Sequence, residues 1–163
     1  MADNTELQIG DVAPEFTAFD SEGNSISLKE LTSEGKYVIL YFYPKDSTPG
    51  CTIQACDFRD SMETLKSNNV VVLGVSKDSE KSHQNFIKKQ SLNFPLLLDE
   101  DLHIHNKYGV WKEKSMYGKT YMGTARSTFV IGPDGMLKFV NYKVKAKGHV
   151  ETLLEEGWFV VVN

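Results

Sequence analysis

Cysteine is scarce in this chain, which has Cys51 and Cys56 and no others among its 163 residues. Two cysteines are too few for a disulfide scaffold, and in a reducing compartment a close pair is more often redox-active than structural. The N-terminus also lacks a basic segment followed by an apolar one, and no run approaches the ~18 apolar residues that would cross a membrane. We therefore expect neither a secretory signal nor a membrane span, and a cytoplasmic location.

An excess of positive charge is absent as well. Lys and Arg number 18 against 22 Asp and Glu, for a formal net charge of −4. A nucleic-acid surface needs a basic patch, so we expect no nucleic-acid partner. The chain has no repeat, low-complexity tract or linker, and its length suits one domain that spans residues 1–163.

The most informative stretch is a predicted strand followed by a predicted helix. Residues 37–43 form a near-continuous run of β-branched and aromatic side chains that Pro44 ends, which indicates a strand covered on both faces. Thr48 and Pro49 then mark a helix start, as N-cap and first helical residue. Cys51 falls in the first turn, where free backbone N–H groups and the helix dipole favour an anion. We expect its thiol to ionise readily and to carry the chemistry.

The helix spacing separates the two cysteines. The apolar stripe of this helix consists of Cys51, Ala55, Phe58, Met62 and Leu65. Cys56 lies off this stripe. Five helical residues turn through about 140° and rise roughly 7.5 Å, which places the two Cα atoms about 8.7 Å apart. A disulfide needs a Cα separation of roughly 4.4–6.8 Å. The two cysteines therefore cannot bridge unless the first turns of the helix unwind.

The other segments complete a fold prediction. They indicate hairpins at 16–28 and 126–142, strands at 70–75 and 94–98, helices at about 79–90, 102–108 and 148–156, and a long polar loop at 111–123. This order predicts an α/β protein with a thioredoxin-like architecture, in which helices flank both faces of a mixed central sheet behind an N-terminal β-hairpin. The apolar tail at 157–163 favours an extra edge strand, with a dimer contact as the alternative.

Several motifs resemble one protein family. The segment from Tyr43 to Cys51 contains the peroxiredoxin pattern Pro-x-x-x-Thr-x-x-Cys, and its continuation through Cys56 to Asp60 is similar to the peroxiredoxin Q group, also called bacterioferritin comigratory protein. Further similar segments are Tyr-Gly-Val-Trp at 108–111, Gly-Lys-Thr-Tyr at 118–121, Arg-Ser-Thr-Phe-Val-Ile at 126–131 and 143–149. The likeness covers residues 9 to 156, and the Thr-Pro-Gly-Cys-(four residues)-Cys arrangement is specific.

The resemblance implies a thiol peroxidase that reduces hydrogen peroxide and organic hydroperoxides and needs no metal or organic cofactor. Cys51 would be the peroxidatic cysteine, which attacks the peroxide and becomes a sulfenic acid. Cys56 would be the resolving cysteine, which condenses with that acid to an intramolecular disulfide. Thioredoxin would then reduce the disulfide.

The family pattern also implies the residues around the thiol. Pro44 would shield the site, and Thr48 would hydrogen-bond the peroxide and the thiolate. Arg126 would orient the peroxide and stabilise the thiolate, and Gly50 belongs to the same substrate-binding set. Nothing in the sequence except this pattern brings Arg126 to the helix start.

Plainer interpretations accompany each of these roles. Cys56 could be a flanking cysteine without redox duty, Thr48 merely an N-cap, Pro44 a strand terminator and Arg126 a surface residue. The histidines show no zinc-site spacing with the cysteines, so we expect structural or surface roles for His83, His103, His105 and His149. We expect a monomer, with a dimer through the tail as the alternative.

Two rival functions also fit a cysteine pair on this fold. A general thiol–disulfide oxidoreductase would carry Cys-x-x-Cys, whereas four residues separate this pair. A non-enzymatic redox sensor or holdase would use the disulfide to reshape a binding surface. Peroxide turnover distinguishes both from a peroxidase.

Overall fold

The fold is an α/β arrangement of fourteen elements, given by a computed structural model that describes residues 6–158. Their bounds are β1 Thr17–Phe19, β2 Ser25–Ser27, α1 Leu28–Ser33, β3 Tyr37–Phe42, α2 Pro49–Ser67, β4 Val70–Ser76, α3 Glu80–Gln90, β5 Leu96–Leu98, α4 His103–Tyr108, β6 Trp111–Met116, β7 Lys119–Thr124, β8 Ser127–Ile131, β9 Leu137–Asn141 and α5 His149–Glu155. The predicted N-terminal hairpin is confirmed as the antiparallel pair β1–β2.

Strand β3 lies at the centre of the main sheet, whose order is β5-β4-β3-β8-β9. It pairs in parallel with β4 and antiparallel with β8, so the sheet is mixed as predicted. The strand predicted at 94–98 is the edge strand β5, which is consistent with the proline that precedes it. The hairpin predicted at 126–142 is confirmed as β8–β9.

Side chains of β3 enter two separate cores, because alternate residues of a strand point to opposite faces. Ile39 and Tyr41 pack in a core with residues of α2, α3 and α5. Leu40 and Phe42 pack in a second core with residues of α1 and α4. Helices therefore cover both faces of the sheet, as the apolar run predicted.

The prediction of a long loop at 111–123 is wrong, because β6 and β7 form an antiparallel hairpin outside the main sheet. Met116 pairs with Lys119, so Tyr117 and Gly118 form a two-residue turn, with φ of 53° and 77°. Such turns are usually signalled by Asn-Gly or Asp-Gly rather than Tyr-Gly. The hairpin strands carry several Lys, Glu and Gly residues, which have low β-propensity, so the sequence concealed them.

Near the C-terminus, Trp158 packs against the body of the protein. Its indole Nε1 donates to the Leu153 carbonyl oxygen at 2.8 Å, and its ring centroid lies 5.8 Å from that of Tyr37. The rest of the tail lies outside the described residues, so the edge-strand and dimer predictions stay predictions. Within residues 6–158, no helix combines the length and apolar character needed to cross a membrane.

Candidate active site

The predicted helix start is confirmed at the N-terminus of α2. Thr48 is the N-cap, with extended backbone, and Pro49 follows as the first helical residue. Cys51 lies in the first turn and is 1% exposed. The Thr48 side chain does not cap a helix N–H; its hydroxyl donates to the Lys45 carbonyl oxygen at 2.7 Å. Thr48 therefore stabilises the loop before the helix, and the first backbone N–H groups keep their capacity to bind an anion.

Arg126 is distant from Cys51 in the sequence, but its side chain contacts the Cys51 thiol. It immediately precedes β8, and β8 pairs with β3, whose C-terminal end leads into the loop before α2. The guanidinium Nη2 lies 3.4 Å from the Cys51 Sγ, and Nη1 donates to the Gln54 Oε1 at 2.7 Å. The sheet order thus brings together two residues that are 75 positions apart.

Gly50 provides the space for this guanidinium. A Cβ atom at position 50 would lie 3.2 Å from the Arg126 Nη2 and 3.6 Å from the Ala146 Cβ. The first of these distances is tighter than ordinary van der Waals contact, so a side chain at position 50 would require the guanidinium to shift by a few tenths of an ångström. Gly50 therefore lies against Arg126, and its predicted part in substrate binding stays a prediction. Pro44 is half-buried in the loop between β3 and α2.

Cys56 has different surroundings on the same helix. It is half-buried, lies off the apolar stripe as predicted, and donates its thiol to the Gln90 Oε1 at 3.6 Å. The neighbouring Arg59 donates through Nη1 to the Gln90 carbonyl oxygen at 2.6 Å, which ties α2 to the end of α3. Both cysteines are free thiols on an unbroken helix.

Comparison with known proteins decides the family. The model of the AhpC/TSA family matches residues 9–140, a range that includes both cysteines and Arg126. The chain is 47% identical to a putative peroxiredoxin bcp of Helicobacter pylori strain J99, over 92% of this chain and 97% of that protein. It is 44% identical to the peroxiredoxin Bcp of Escherichia coli K12, over 91% and 94% of the two chains.

The chain belongs to the AhpC/TSA family, with the Bcp peroxiredoxins.

Solved structures agree. Bacterioferritin comigratory protein of Xanthomonas campestris, described for its alkyl peroxide reduction activity, superimposes with a TM-score of 0.82 at 38% identity, covering 91% of this chain and 94% of that one. A variant of peroxiredoxin Q from Xylella fastidiosa gives a TM-score of 0.86 at 36% identity, covering 93% and 96%. This chain therefore has the thioredoxin-like peroxiredoxin fold and is a thiol-dependent peroxidase.

Two buried residues of this peroxiredoxin site were missed by the sequence reasoning. Gln54 is fully buried and uses its Oε1 to hold Arg126, while its Nε2 has no partner among the described residues. The Tyr41 hydroxyl is likewise unpartnered there, and burial together with negative charge on Cys51 raises the pKa of Tyr41 well above its usual value. A signal for Gln54 existed, because residues three apart on a helix share a face.

The misassigned hairpin also contributes charge to this site. Burial and the positive charge of Arg126 lower the pKa of Lys114 on β6, whereas negative charge on Cys51 acts in the opposite direction. A strand expected to be part of a long polar loop therefore places a lysine in the electrostatic neighbourhood of the thiol and Arg126.

Among the described residues, two clusters have ligand atoms close enough to hold a metal ion, and neither contains a cysteine. They are Asp46, Asp78 and His83, and Asp99, Asp101 and His103, with ligand atoms within 4.8 Å of one another. In each cluster a histidine Nδ1 already forms a 2.7 Å contact with a carboxylate oxygen. His83 and His105 are fully buried and His149 is 7% exposed, in agreement with structural roles.

Proposed function

We propose that this peroxiredoxin reduces hydroperoxides at Cys51, resolves the product with Cys56, and is recycled by thioredoxin. The observation that carries the proposal is the contact between the Arg126 guanidinium and the buried Cys51 sulfur, at 3.4 Å. A cationic donor aimed at this sulfur stabilises the thiolate, which is the nucleophilic form of cysteine. The reactive sulfur is thereby held beside a donor that also suits an incoming peroxide oxygen.

The first step is attack of the Cys51 thiolate on one peroxide oxygen. A sulfur–oxygen bond forms and the oxygen–oxygen bond breaks, so the sulfur is oxidised to a sulfenic acid while the other peroxide oxygen departs and is protonated to an alcohol or water. Arg126 orients the peroxide and stabilises the departing oxygen's charge. The role we propose for Thr48 is to hydrogen-bond the peroxide and the thiolate, for which its hydroxyl must turn from the Lys45 carbonyl oxygen, and the role we propose for Pro44 is to limit access of water.

The second step joins the two cysteines. The Cys56 sulfur attacks the sulfenic sulfur, which forms the disulfide and releases water, and this protects Cys51 from irreversible further oxidation. Because an intact helix keeps the two Cα atoms too far apart, the first turns of α2 must unwind. Thioredoxin then supplies two electrons through its dithiol and restores both thiols.

The remaining parts of the proposal concern context. We infer a single domain over residues 1–163, a monomer in solution, and a cytoplasmic location, where thioredoxin is available. Hydrogen peroxide and organic hydroperoxides are both proposed substrates, in keeping with the alkyl peroxide reduction described for the Xanthomonas campestris relative.

A coupled assay tests the function. Consumption of NADPH through thioredoxin reductase and thioredoxin is measured with hydrogen peroxide and with a bulky organic hydroperoxide, and sustained turnover is expected with both. Mass spectrometry of the oxidised protein should find a peptide cross-link between Cys51 and Cys56. Insulin reduction without peroxide turnover would instead favour the general oxidoreductase, and substoichiometric peroxide consumption would favour the sensor.

A further inference from the structure

A second buried cluster connects the loop before α2 to α3. Asp46 is a loop residue that is 5% exposed, and its carboxylate accepts hydrogen bonds from three side chains. The Tyr43 hydroxyl donates at 2.6 Å, the Ser82 hydroxyl at 2.8 Å and the His83 Nδ1 at 2.7 Å. The loop that carries Thr48 is therefore fastened to α3 by a carboxylate that lies two residues before Thr48.

The hydrogen-bond partners of His83 define its protonation. Its Nε2 lies 2.9 Å from the Leu97 carbonyl oxygen on β5, which can only accept, so Nε2 carries a hydrogen. Its Nδ1 faces a carboxylate surrounded by donors, so Nδ1 carries one too. On these contacts we assign His83 as an imidazolium, which forms an ion pair with Asp46 in which both side chains are almost completely buried.

The other groups that face His83 support this charge. On the loop before α3, the Asp78 carboxylate accepts from the Asp46 backbone N–H at 2.9 Å and from the Ser76 hydroxyl on β4 at 2.6 Å. Tyr43 after β3 is titratable, and burial raises its pKa well above the usual value, which keeps it neutral. Burial by itself would lower the pKa of His83, but the hydrogen bond and charge of Asp46, with Leu97 and Asp78, raise it overall.

Backbone strain lies next to this ion pair. Ser47, between Asp46 and Thr48, has a φ of 63°, in the left-handed region that side chains other than glycine rarely adopt. Such a conformation is strained and persists when its surroundings hold it in place. The Asp46 contacts restrain the residue on one side, and α2 begins on the other.

We propose that the Asp46–His83 ion pair is a positioning device that holds the loop and the first turn of α2 in the closed, peroxide-reactive conformation. This inference rests on the proposed function, in which the same segment must open before Cys51 and Cys56 can join. Weakening the ion pair therefore has opposite effects on the two steps. Oxidation of Cys51 slows because it needs the closed conformation, and disulfide formation accelerates because it needs the open one.

The molecule offers a matched control on its other face. Asp99 and His105 form a second aspartate–histidine pair, with Oδ2 and Nδ1 2.6 Å apart and both side chains fully buried. Asp99 also accepts from the backbone N–H groups of Ile104 and His105 at the start of α4. Loss of this pair should lower global stability without altering the loop before α2.

Amide hydrogen exchange of the reduced full chain tests the positioning role. In His83→Gln, exchange at residues 44–52 should accelerate at least about tenfold, the effect of losing a hydrogen bond to a charged group. Asp46→Asn, which keeps the side-chain shape and removes the charge, should act in the same direction and covers the case in which His83→Gln does not fold. His105→Gln should leave this segment unchanged. Unchanged amide exchange at residues 44–52 in both His83→Gln and Asp46→Asn would overturn the proposal. An equal acceleration there in His105→Gln would also overturn it.

Rapid-mixing kinetics provide the second readout. Under single turnover, His83→Gln and Asp46→Asn should oxidise Cys51 more slowly and form the disulfide faster than the wild type. The control His105→Gln should match the wild type in both rates. Rates that move in the same direction, or that stay unchanged while exchange accelerates, would also overturn it. A wild type that forms no disulfide would refute the proposed function instead, and the exchange result on the reduced protein would stand independently.

Discussion

Cys51 and Cys56 occupy the same helix five residues apart, yet they have different surroundings. Cys51 is 1% exposed and faces a guanidinium nitrogen, whereas Cys56 is half-buried and donates to an amide oxygen of Gln90. Each lies near one of the two arginines of the chain, but only Arg126 is within hydrogen-bond distance of its sulfur in the part of the chain that the structure describes. Under the proposed function, the surroundings of each thiol, rather than the helix they share, suit Cys51 to attack and Cys56 to resolution.

The largest effect should come from Cys51→Ser. A serine hydroxyl at this position is a far weaker nucleophile than a thiolate, so peroxide reduction should fall to the uncatalysed level. Peroxide consumption is measured with thioredoxin in excess, and intact Cys56 serves as the internal control. Retained steady-state activity would mean that the two thiols are interchangeable and that the contrast between their surroundings has no catalytic meaning.

Cys56→Ser should separate the two steps. The first oxidation of Cys51 should proceed at the wild-type rate because the Arg126 contact is untouched, but thioredoxin-linked turnover should stop. Trapping of the sulfenic acid with a dimedone reagent and mass spectrometry follow the product, and excess peroxide should drive it to the sulfinic acid. Sustained thioredoxin-dependent turnover in this variant would refute a resolving role for Cys56.

Substitution of each arginine in turn tests whether the contact with Arg126 accounts for the reactivity of Cys51. Arg126→Gln removes a charge-assisted contact worth about 2–3 kcal/mol, so the rate of Cys51 oxidation should fall roughly 30- to 150-fold. The matched variant Arg59→Gln removes the other arginine. Its rate of Cys51 oxidation should stay within about twofold of the wild-type rate, because an ion pair near the surface contributes little energy. Stopped-flow measurement at equal peroxide concentration compares them. Similar losses in both variants would indicate a general charge effect.

The smallest effect is expected at Gln90. Gln90→Leu removes the acceptor that holds the Cys56 thiol, a weak hydrogen bond, so disulfide formation should accelerate about two- to fivefold. Gln84→Leu is the control, because Gln84 on the same helix donates instead to the Ser21 carbonyl oxygen. Quenched-flow alkylation measures the rate. A slower reaction in Gln90→Leu would indicate that Gln90 guides the thiol toward Cys51.

The predictions that the structure confirmed depend on local sequence patterns. The helix start at Thr48 and Pro49 and the burial of β3 depend on neighbouring residues, so their patterns are complete in the sequence. The approach of Arg126 depends on the pairing of β3 with β8, which no local pattern encodes and which only the family resemblance supplied. The Asp46–His83 pair, 37 residues apart, was missed for the same reason.

Strand β3 has hydrogen-bonded neighbours on both edges and side chains in both cores. Unwinding that begins at Pro49 therefore cannot spread back into the sheet and must travel along α2, toward Phe58, which is fully buried and stacked on Tyr41 at 4.7 Å. In the proposed cycle, a few residues of α2 unwind while the sheet stays intact. Recovery is then helix elongation, at about nanoseconds per residue, and not a refolding event. In the proposed cycle, the helix therefore re-forms long before the next electron pair arrives from the reductant, and opening of the segment is the conformational event that affects disulfide formation.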